Sequence, residues 1–377
     1  MSKGTLISFI CLATLCTSPS AVLSQTGGDQ IEQQVDAYLQ SEMQMDKLPG
    51  LSLAVLKGGK VILTRGLGFA DLEKKTPVTP ETAFEVGSIT KQFTAAAIML
   101  LVEDGKLHLD DPIVPYLDGA SESWRSITIR HLLTHTSGIG DHTGDPVLKE
   151  KRKTQFLDPK DVLQVMGAKK LEFEPGEKHS YSNTNYFLLG LIVTKISGRP
   201  YSQFMAERIF KPLGMRSTRL TNGKAAPDLA QGYKTTGAKT DYINSTSEGG
   251  LISTVLDLAK WVMALDAGKV IKKESLAQVL TPLTLNNGNH VGYGFGWIIN
   301  SDKSSGNPII EHGGFTYGFS NFITRLPTDG LTVIALTNSD RGYARFYTRG
   351  IAALYSPWSK EYWADDELVF REKRKKH

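Results

Sequence analysis

Apolar side chains recur at Ile31, Val35, Tyr38 and Leu39, the spacing of one helix face, and predict a helix from Ile31 to Met45. Two short apolar runs follow, Leu51–Leu56 and Val61–Thr64, on either side of Lys57-Gly58-Gly59-Lys60. Apolar runs around Gly-Gly predict a β-hairpin, and Phe69–Leu72 is a candidate third strand. The apolar stretch after Ser88 predicts a helix to about Asp104, with Gly105 as its stop.

From about Leu107 to Lys239 helical stretches dominate: Ile127–Leu133, Pro159–Met166, Thr184–Ile196 and Tyr201–Phe210. Turn signals such as Glu174-Pro175-Gly176-Glu177 separate them. Helix returns at Val255–Leu265 and Lys273–Leu280, and strands at Gly294–Ile299, Phe319–Arg325 and Leu331–Leu336. Pro327-Thr328-Asp329-Gly330 reads as the turn between the last two, and Ala344–Tyr355 as a closing helix. Strands at both ends with helices between predict one α/β (α+β) domain over 25–355. Its sheet is built from both termini (about 28–106 and 245–355), with an all-helical insertion at about 107–244.

Composition fits a soluble domain with a sizeable core, at 40% hydrophobic and 22% charged residues. The formal net charge is +4. The segment Arg371–Lys376 carries five positive and one negative side chains, which accounts for the whole excess. The remainder is near neutral, which argues against a nucleic-acid face, and 356–377 reads as a solvated basic tail. Lys3, the apolar run Leu6–Cys16 and the small residues before Gln25 read as a signal peptide over 1–24, too short for a stable membrane span. The expected location is secreted or periplasmic. Cys11 and Cys16 both fall in that leader, behind Ile10 and Leu15, which do not suit lipidation. The processed chain then has no cysteine for a disulfide or a thiolate metal site.

Three short patterns carry candidate chemistry. In Ser88-Ile89-Thr90-Lys91 a serine opens the apolar helix and an amine lies one turn on, where it can assist the hydroxyl. Taken alone, the pattern fits a helix-capping serine and a solvated lysine better. Tyr181-Ser182-Asn183 stands at a turn-to-helix junction, which favours it over the second Tyr-x-Asn, Tyr242-Ile243-Asn244. His312-Gly313-Gly314 lies near the C-terminal end.

In this order the patterns resemble the penicillin-recognising serine hydrolases. The nearest groups are class C β-lactamases, D-Ala-D-Ala carboxypeptidases and β-lactamase-like esterases. Leu132-Leu133-Thr134-His135-Thr136-Ser137-Gly138, Gly249–Thr254 and Gly292–Trp297 add to the resemblance, which covers roughly Pro49 to Tyr355. It implies a β-lactamase-like fold with the active site between sheet and insertion. Ser88 would be the acylated nucleophile, and Lys91 and Tyr181 would share proton transfer. Asn183 would bind the substrate carbonyl or amide and hold Lys91. The N–H groups of Ser88 and Phe315 would bind the oxyanion, beside Gly314.

His312 and Gly313 stand where the β-lactamases have Lys-Thr. A histidine with an ordinary pKa of ~6.5 attracts a substrate carboxylate only when protonated. Preference for anionic substrates is therefore expected to rise as pH falls through ~6.5. The change also shifts the expected substrates towards esters and broader amides. His131, His135 and His142 lack the His-Glu-x-x-His frame, and no metal or cofactor is expected. Tyr293, Phe295 and Trp297 alternate as in a strand lining core or cleft. The expected activity is acyl-enzyme hydrolysis of an ester, amide or D-amino-acid peptide by a secreted serine hydrolase. The substrate is a small molecule or a peptide, cell-wall derived in one version. The rival expectation is a penicillin-binding or cell-wall-peptide sensor that does not turn over.

Overall fold

Gly58 and Gly59 have φ of +57° and +73°, the left-handed pair that a two-residue hairpin turn requires. They join β1 (Gly50–Lys57) to β2 (Lys60–Asp71) as the pattern predicts. The chain is described here by a computed structural model covering Met1 and residues 26–341 and 344–364.

β1 is buried on both faces because it lies mid-sheet. Its other neighbour is β12 (Leu331–Thr337), in register from Leu51↔Thr337 to Lys57↔Leu331. β11 (Phe319–Leu326), β10 (Pro308–Thr316) and β9 (Ile298–Ser301) continue outward from β12, and β3 (Thr76–Pro77) edges β2. The result is an antiparallel seven-stranded sheet in the order β3-β2-β1-β12-β11-β10-β9, built from both ends of the chain.

Alternate residues of the strands face opposite layers. Leu51, Leu53 and Val55 pack with Val35 and Leu39 of α1 (Thr26–Asp46) and with Tyr347 and Ile351 of α10 (Ala344–Tyr355). Ala54 and Leu56 face the larger core, shared with α2 (Thr90–Glu103) and α8 (Val255–Asp266). α2 is buried from Thr90 to Leu101 and is the central helix of the molecule. Its end at Asp104 and Gly105, with φ +68° at the glycine, follows the predicted stop.

The segment between the sheet halves holds α3 (Ile129–Leu133), α4 (Pro146–Thr154), α5 (Pro159–Gly167), α6 (Asn183–Ser197) and α7 (Tyr201–Met205), which runs into a π-turn at Ala206–Phe210. It is not all-helical. β5 (Arg219–Leu220) pairs with β6 (Leu251–Ser253), which also pairs with β4 (Phe84–Glu85). Between β5 and β6 the backbone bonds to distant loops as well as to itself. Ala230 N donates to Ala83 O and Gln231 N to Ala70 O, which no local periodicity announces. α9 (Lys273–Val279), β7 (Leu283–Thr284) and β8 (His290–Val291) lead back to the sheet.

Three further expectations differ. Phe69–Asp71 belongs to β2, because that strand runs on past its hairpin. Residues 292–297 form a tight turn with Gly296 at φ +74°, and the strand starts only at Ile298. The domain also passes Tyr355. Residues 359–364 are helical, Trp363 is buried in the α1–α10 core, and Trp358 Nε1 donates to Asp329 Oδ2 at 2.7 Å. The expected signal peptide and lipidation residues and the basic run Arg371–Lys376 lie outside the described residues. Among the described residues no helix is long and apolar enough to cross a membrane.

Candidate active site

Ser88 sits where β4 ends and a 3₁₀ turn, Gly87–Ile89, feeds α2. Gly87 is left-handed at φ +55°, and a Cβ there would stand 2.7 Å from Phe315 N. A Cβ on Gly314 would stand 1.9 Å from Val86 O and 3.0 Å from Ser88 N. The two glycines let the backbone of β10 press onto the serine turn, so the amide nitrogens of Ser88 and Phe315 lie on facing segments. Thr90 Oγ1 pins the turn by donating to Gly87 O at 2.7 Å and accepting from Leu251 N at 3.0 Å. Asn321 Nδ2 ties β4 to β11 through Glu85 O at 2.8 Å. Below it, the buried Glu85 carboxyl accepts from Ile243 N at 2.9 Å and Thr316 Oγ1 at 3.2 Å; burial pushes its pKa up to about 7.

Lys91 lies one helical turn on and is fully buried. Its Nζ donates to Ser88 Oγ at 2.9 Å, Asn183 Oδ1 at 2.8 Å and Glu248 O at 2.6 Å. Burial lowers its pKa from the usual 10.5 to about 7, against the pull of the Glu248 and Asp141 carboxylates. Asn183, the first residue of α6, has both amide atoms engaged: Nδ2 donates to Asp141 Oδ2 at 2.9 Å. Asp141 is itself held by Thr143 N and Thr143 Oγ1, both at 2.9 Å. The amide orientation, and with it the position of the amine, is therefore set two residues deep.

The Tyr181 ring covers Lys91, with Nζ 4.9 Å from the ring centre. Its ring opens onto the groove, 39% exposed, while its hydroxyl is hydrogen-bonded to Ser88 at the floor. Enclosure of that hydroxyl raises the phenol pKa well above the usual 10, with the Ser88 bond opposing and Asp141 adding to the rise. At neutral pH this phenol is a proton donor. Tyr242 belongs elsewhere: its hydroxyl meets Ala230 O at 3.3 Å, and Asn244 is engaged with Arg152.

His312 is buried, at 3% exposure, and both ring nitrogens are used. Nδ1 lies 2.7 Å from the carbonyl Gly313 O, so it carries the proton, and Nε2 accepts from the Tyr293 hydroxyl at 3.2 Å. Tyr293 O then accepts from His135 Nε2 at 3.2 Å, which leaves His135 Nδ1 to accept from Ser182 N at 3.2 Å. One proton order satisfies the whole chain. Burial, with Lys91 adding, lowers the His312 pKa to about 4. The expectation of a histidine that becomes cationic near pH 6.5 is corrected: His312 is neutral across that range.

His135 and Tyr293 were not singled out as site residues in the sequence. Their signal was the pair of motif segments that contain them, Leu132–Gly138 and Gly292–Trp297, read only as family context. His131 is spent on a capping box with Thr128 and does not converge with His135. Among the described residues no group of three His, Cys, Asp or Glu side chains converges as a metal site.

Ser88, Asn183 and Phe315 divide the groove in two. On the Tyr181 side a cavity of about 720 Å³ is lined by His179, Tyr181, Tyr293, His312 and Phe322. On the other a cavity of about 380 Å³ is lined by Thr143, Lys149, Arg152, Glu248 and Tyr317. A serine bonded to a buried amine whose pKa is lowered to about 7, a protonated phenol and two facing backbone nitrogens together suit acyl transfer.

A family model described as Beta-lactamase matches residues 35–355. Protein flp of Staphylococcus aureus (strain MW2) is 31% identical over 332 residues, which are 83% of this chain and 64% of that protein. Penicillin-binding protein 4* of Bacillus subtilis (strain 168) is 32% identical over 305 residues, 75% of this chain and 67% of that one. The chain thus spans about two thirds of the length of these relatives. The octameric penicillin-binding protein homologue from Pyrococcus abyssi superposes with a TM-score of 0.75 at 30% identity, over 86% of this chain and 77% of its own. A D-stereospecific amidohydrolase from Streptomyces sp. gives 0.72 at 28% identity, over 88% and 99%.

Proposed function

The chain belongs to the beta-lactamase family of penicillin-recognising serine hydrolases, and from that premise we propose that it hydrolyses an ester, amide or D-amino-acid peptide through an acyl-enzyme on Ser88. The observation that carries this reading is the 2.9 Å contact between Ser88 Oγ and a buried Lys91 whose pKa is lowered to about 7.

Neutral Lys91 accepts the Ser88 proton as Oγ bonds to the substrate carbonyl carbon. The tetrahedral oxygen is held by the N–H groups of Ser88 and Phe315. Tyr181 gives its phenolic proton to the leaving nitrogen or oxygen as that bond breaks, and the Lys91 ammonium restores the phenol. Water then attacks the acyl-serine by the same steps in reverse order, and Ser88 leaves with the proton. Assistance of this kind contributes about 10²–10⁴-fold in rate. Asn183 holds Lys91 in place, and its remaining amide hydrogen faces substrate. His312 keeps β10 and the Tyr181 wall in register through Tyr293 and His135.

The similarity to a protein named as a D-stereospecific amidohydrolase supports amides or D-peptides as the substrate class. The leader-like residues 1–24 support a secreted or periplasmic location. The test is intact-protein mass after exposure to a penicillin and to a short-chain activated ester, with product release followed in parallel. The expected result is a transient acyl adduct with continuing release of product from at least one of them. An adduct that persists with no product contradicts turnover and points to a binding protein.

A further inference from the structure

Cations without carboxylate partners surround the smaller half of the groove. Along α4, Lys151 pairs with Asp161 and Lys153 with Glu150. Lys149 and Arg152 line the 380 Å³ cavity beside Ser88 and have no carboxylate within 4 Å among the described residues. Arg152 is nevertheless held. Its Nε donates to Asn244 O at 3.2 Å, and Asn244 Nδ2 donates back to Arg152 O at 3.0 Å. This clamp uses one of the five guanidinium N–H groups and leaves the terminal nitrogens without a protein carboxylate.

One acidic group faces this cavity: the Glu248 carboxylate accepts from Ser245 Oγ at 2.5 Å and Thr246 Oγ1 at 2.9 Å, and the charge of Arg152 helps keep it ionised. Two cations, Lys149 and Arg152, against that single carboxylate leave the lining net positive. The groove continues past Arg152 into a further cavity of about 290 Å³ lined by Lys149, Lys153, Lys234, Lys239 and Asp241. Of these, Lys153 pairs with Glu150 and Lys239 with Glu73.

Which end of a substrate lies here follows from the proton donor. The leaving group must take its proton from Tyr181, which lines the larger cavity and not this one. The acyl substituent is left with the Arg152 side. We propose that this cavity is an acyl-side subsite for a carboxylate-bearing acyl group, with Arg152 as its anchor and Lys149 as auxiliary. The proposal rests on the serine-hydrolase reading above and names the substrate class of that site. A planar guanidinium binds a carboxylate through two parallel hydrogen bonds, which is the recognition a held, unpaired arginine suits. The family's usual place for substrate charge, at Lys-Thr-Gly, here holds a neutral histidine and a glycine on the opposite side of Ser88.

The test compares kcat/KM for p-nitrophenyl monoesters of succinic, glutaric and adipic acids with the butyrate, valerate and hexanoate of matched length, after subtraction of the enzyme-free rate. The leaving group is the same throughout, so the larger cavity cancels in each ratio. So do the fraction of folded enzyme and any effect of a variant on Lys91. The wild type is expected to prefer the anionic ester at one of these lengths. Arg152→Gln is expected to lower that preference by about 10- to 100-fold, the scale on which a charge-assisted hydrogen bond contributes. Arg152→Lys should keep part of it, Arg152→Glu should turn it to below one, and 0.5 M NaCl should reduce it in the wild type. Ratios that Arg152→Gln and Arg152→Glu leave unchanged at every length overturn the subsite and leave the hydrolase reading standing. Failure of the wild type to release nitrophenol from any ester, with no adduct on Ser88, overturns the hydrolase reading and the subsite with it.

Discussion

In the proposed mechanism Lys91 sets the pH response of the site. Only its neutral form can accept the Ser88 proton, and its lowered pKa makes that form predominate above about 7. We therefore expect kcat/KM to rise with pH through about 7 and then level off. Glu85 titrates in the same range, so the profile should also be recorded for Glu85→Gln, where the rise should persist. A rate independent of pH from about 5.5 to 8.5, the span over which such an amine titrates, would contradict Lys91 as the base. Tyr181→Phe removes only the phenol and should cost ~10²–10⁴-fold in acylation rate, whereas Tyr242→Phe, on Ala230 O and away from Ser88, should be nearly silent. Stopped-flow acylation of both variants checks the pair. At His312 the sequence allowed an ordinary histidine, but burial lowers its pKa to about 4. The preference between substrates with and without a carboxylate on the leaving group should accordingly stay flat from pH 5 to 8 as far as His312 governs it. The convergence of Ser88, Lys91 and Tyr181 was legible because each stands in a short motif. His135 and Tyr293 were not, because a buried hydrogen-bond chain across 158 residues leaves no local pattern. Tyr293→Phe breaks that chain and leaves buried ring nitrogens unpaired, at a cost of ~1–3 kcal/mol for each, measurable by urea unfolding.

Elements with a complete local signature were read correctly, and those set by a neighbour were not. The β1–β2 hairpin follows from two apolar runs and Gly-Gly, and α2 from its apolar stretch and Gly105. β10 was not among the predicted strands, since His312-Gly313-Gly314 looks like a break in a strand pattern. Its glycines are there for the close approach to the Ser88 turn. Gly314→Ala would place a methyl 1.9 Å from Val86 O, backbone that is itself paired with Leu251 O through Val86 N. β10 would have to withdraw, and Phe315 N with it. We expect this variant to fold with reduced stability and to lose at least tenfold in Ser88 acylation, about 1.4 kcal/mol in barrier. An acylation rate equal to wild type would show that Phe315 N takes no part in the oxyanion site.

At the scale of the whole molecule, strands at both ends of the chain announced one sheet, because only pairing of β1 with β12 buries both. The C-terminal limit was misplaced, because the charges after Ala364 obscured an anchor before them. Trp363 packs into the α1–α10 core, and Arg349, paired with the buried Glu311, lies 5.5 Å from its ring. Trp363→Ala should cost ~3–5 kcal/mol in urea unfolding; an unchanged midpoint would return this segment to the tail. The account as a whole stands on Ser88, since fold, family and groove acquire a function only through that hydroxyl. Its most direct test is to label the protein with an activated ester or a penicillin, quench at short times, digest, and locate the added acyl mass by peptide sequencing. The account predicts the acyl mass on Ser88 in the wild type and none on Ser88→Ala. A stable acyl mass on any other residue, or labelling that survives Ser88→Ala, would contradict it.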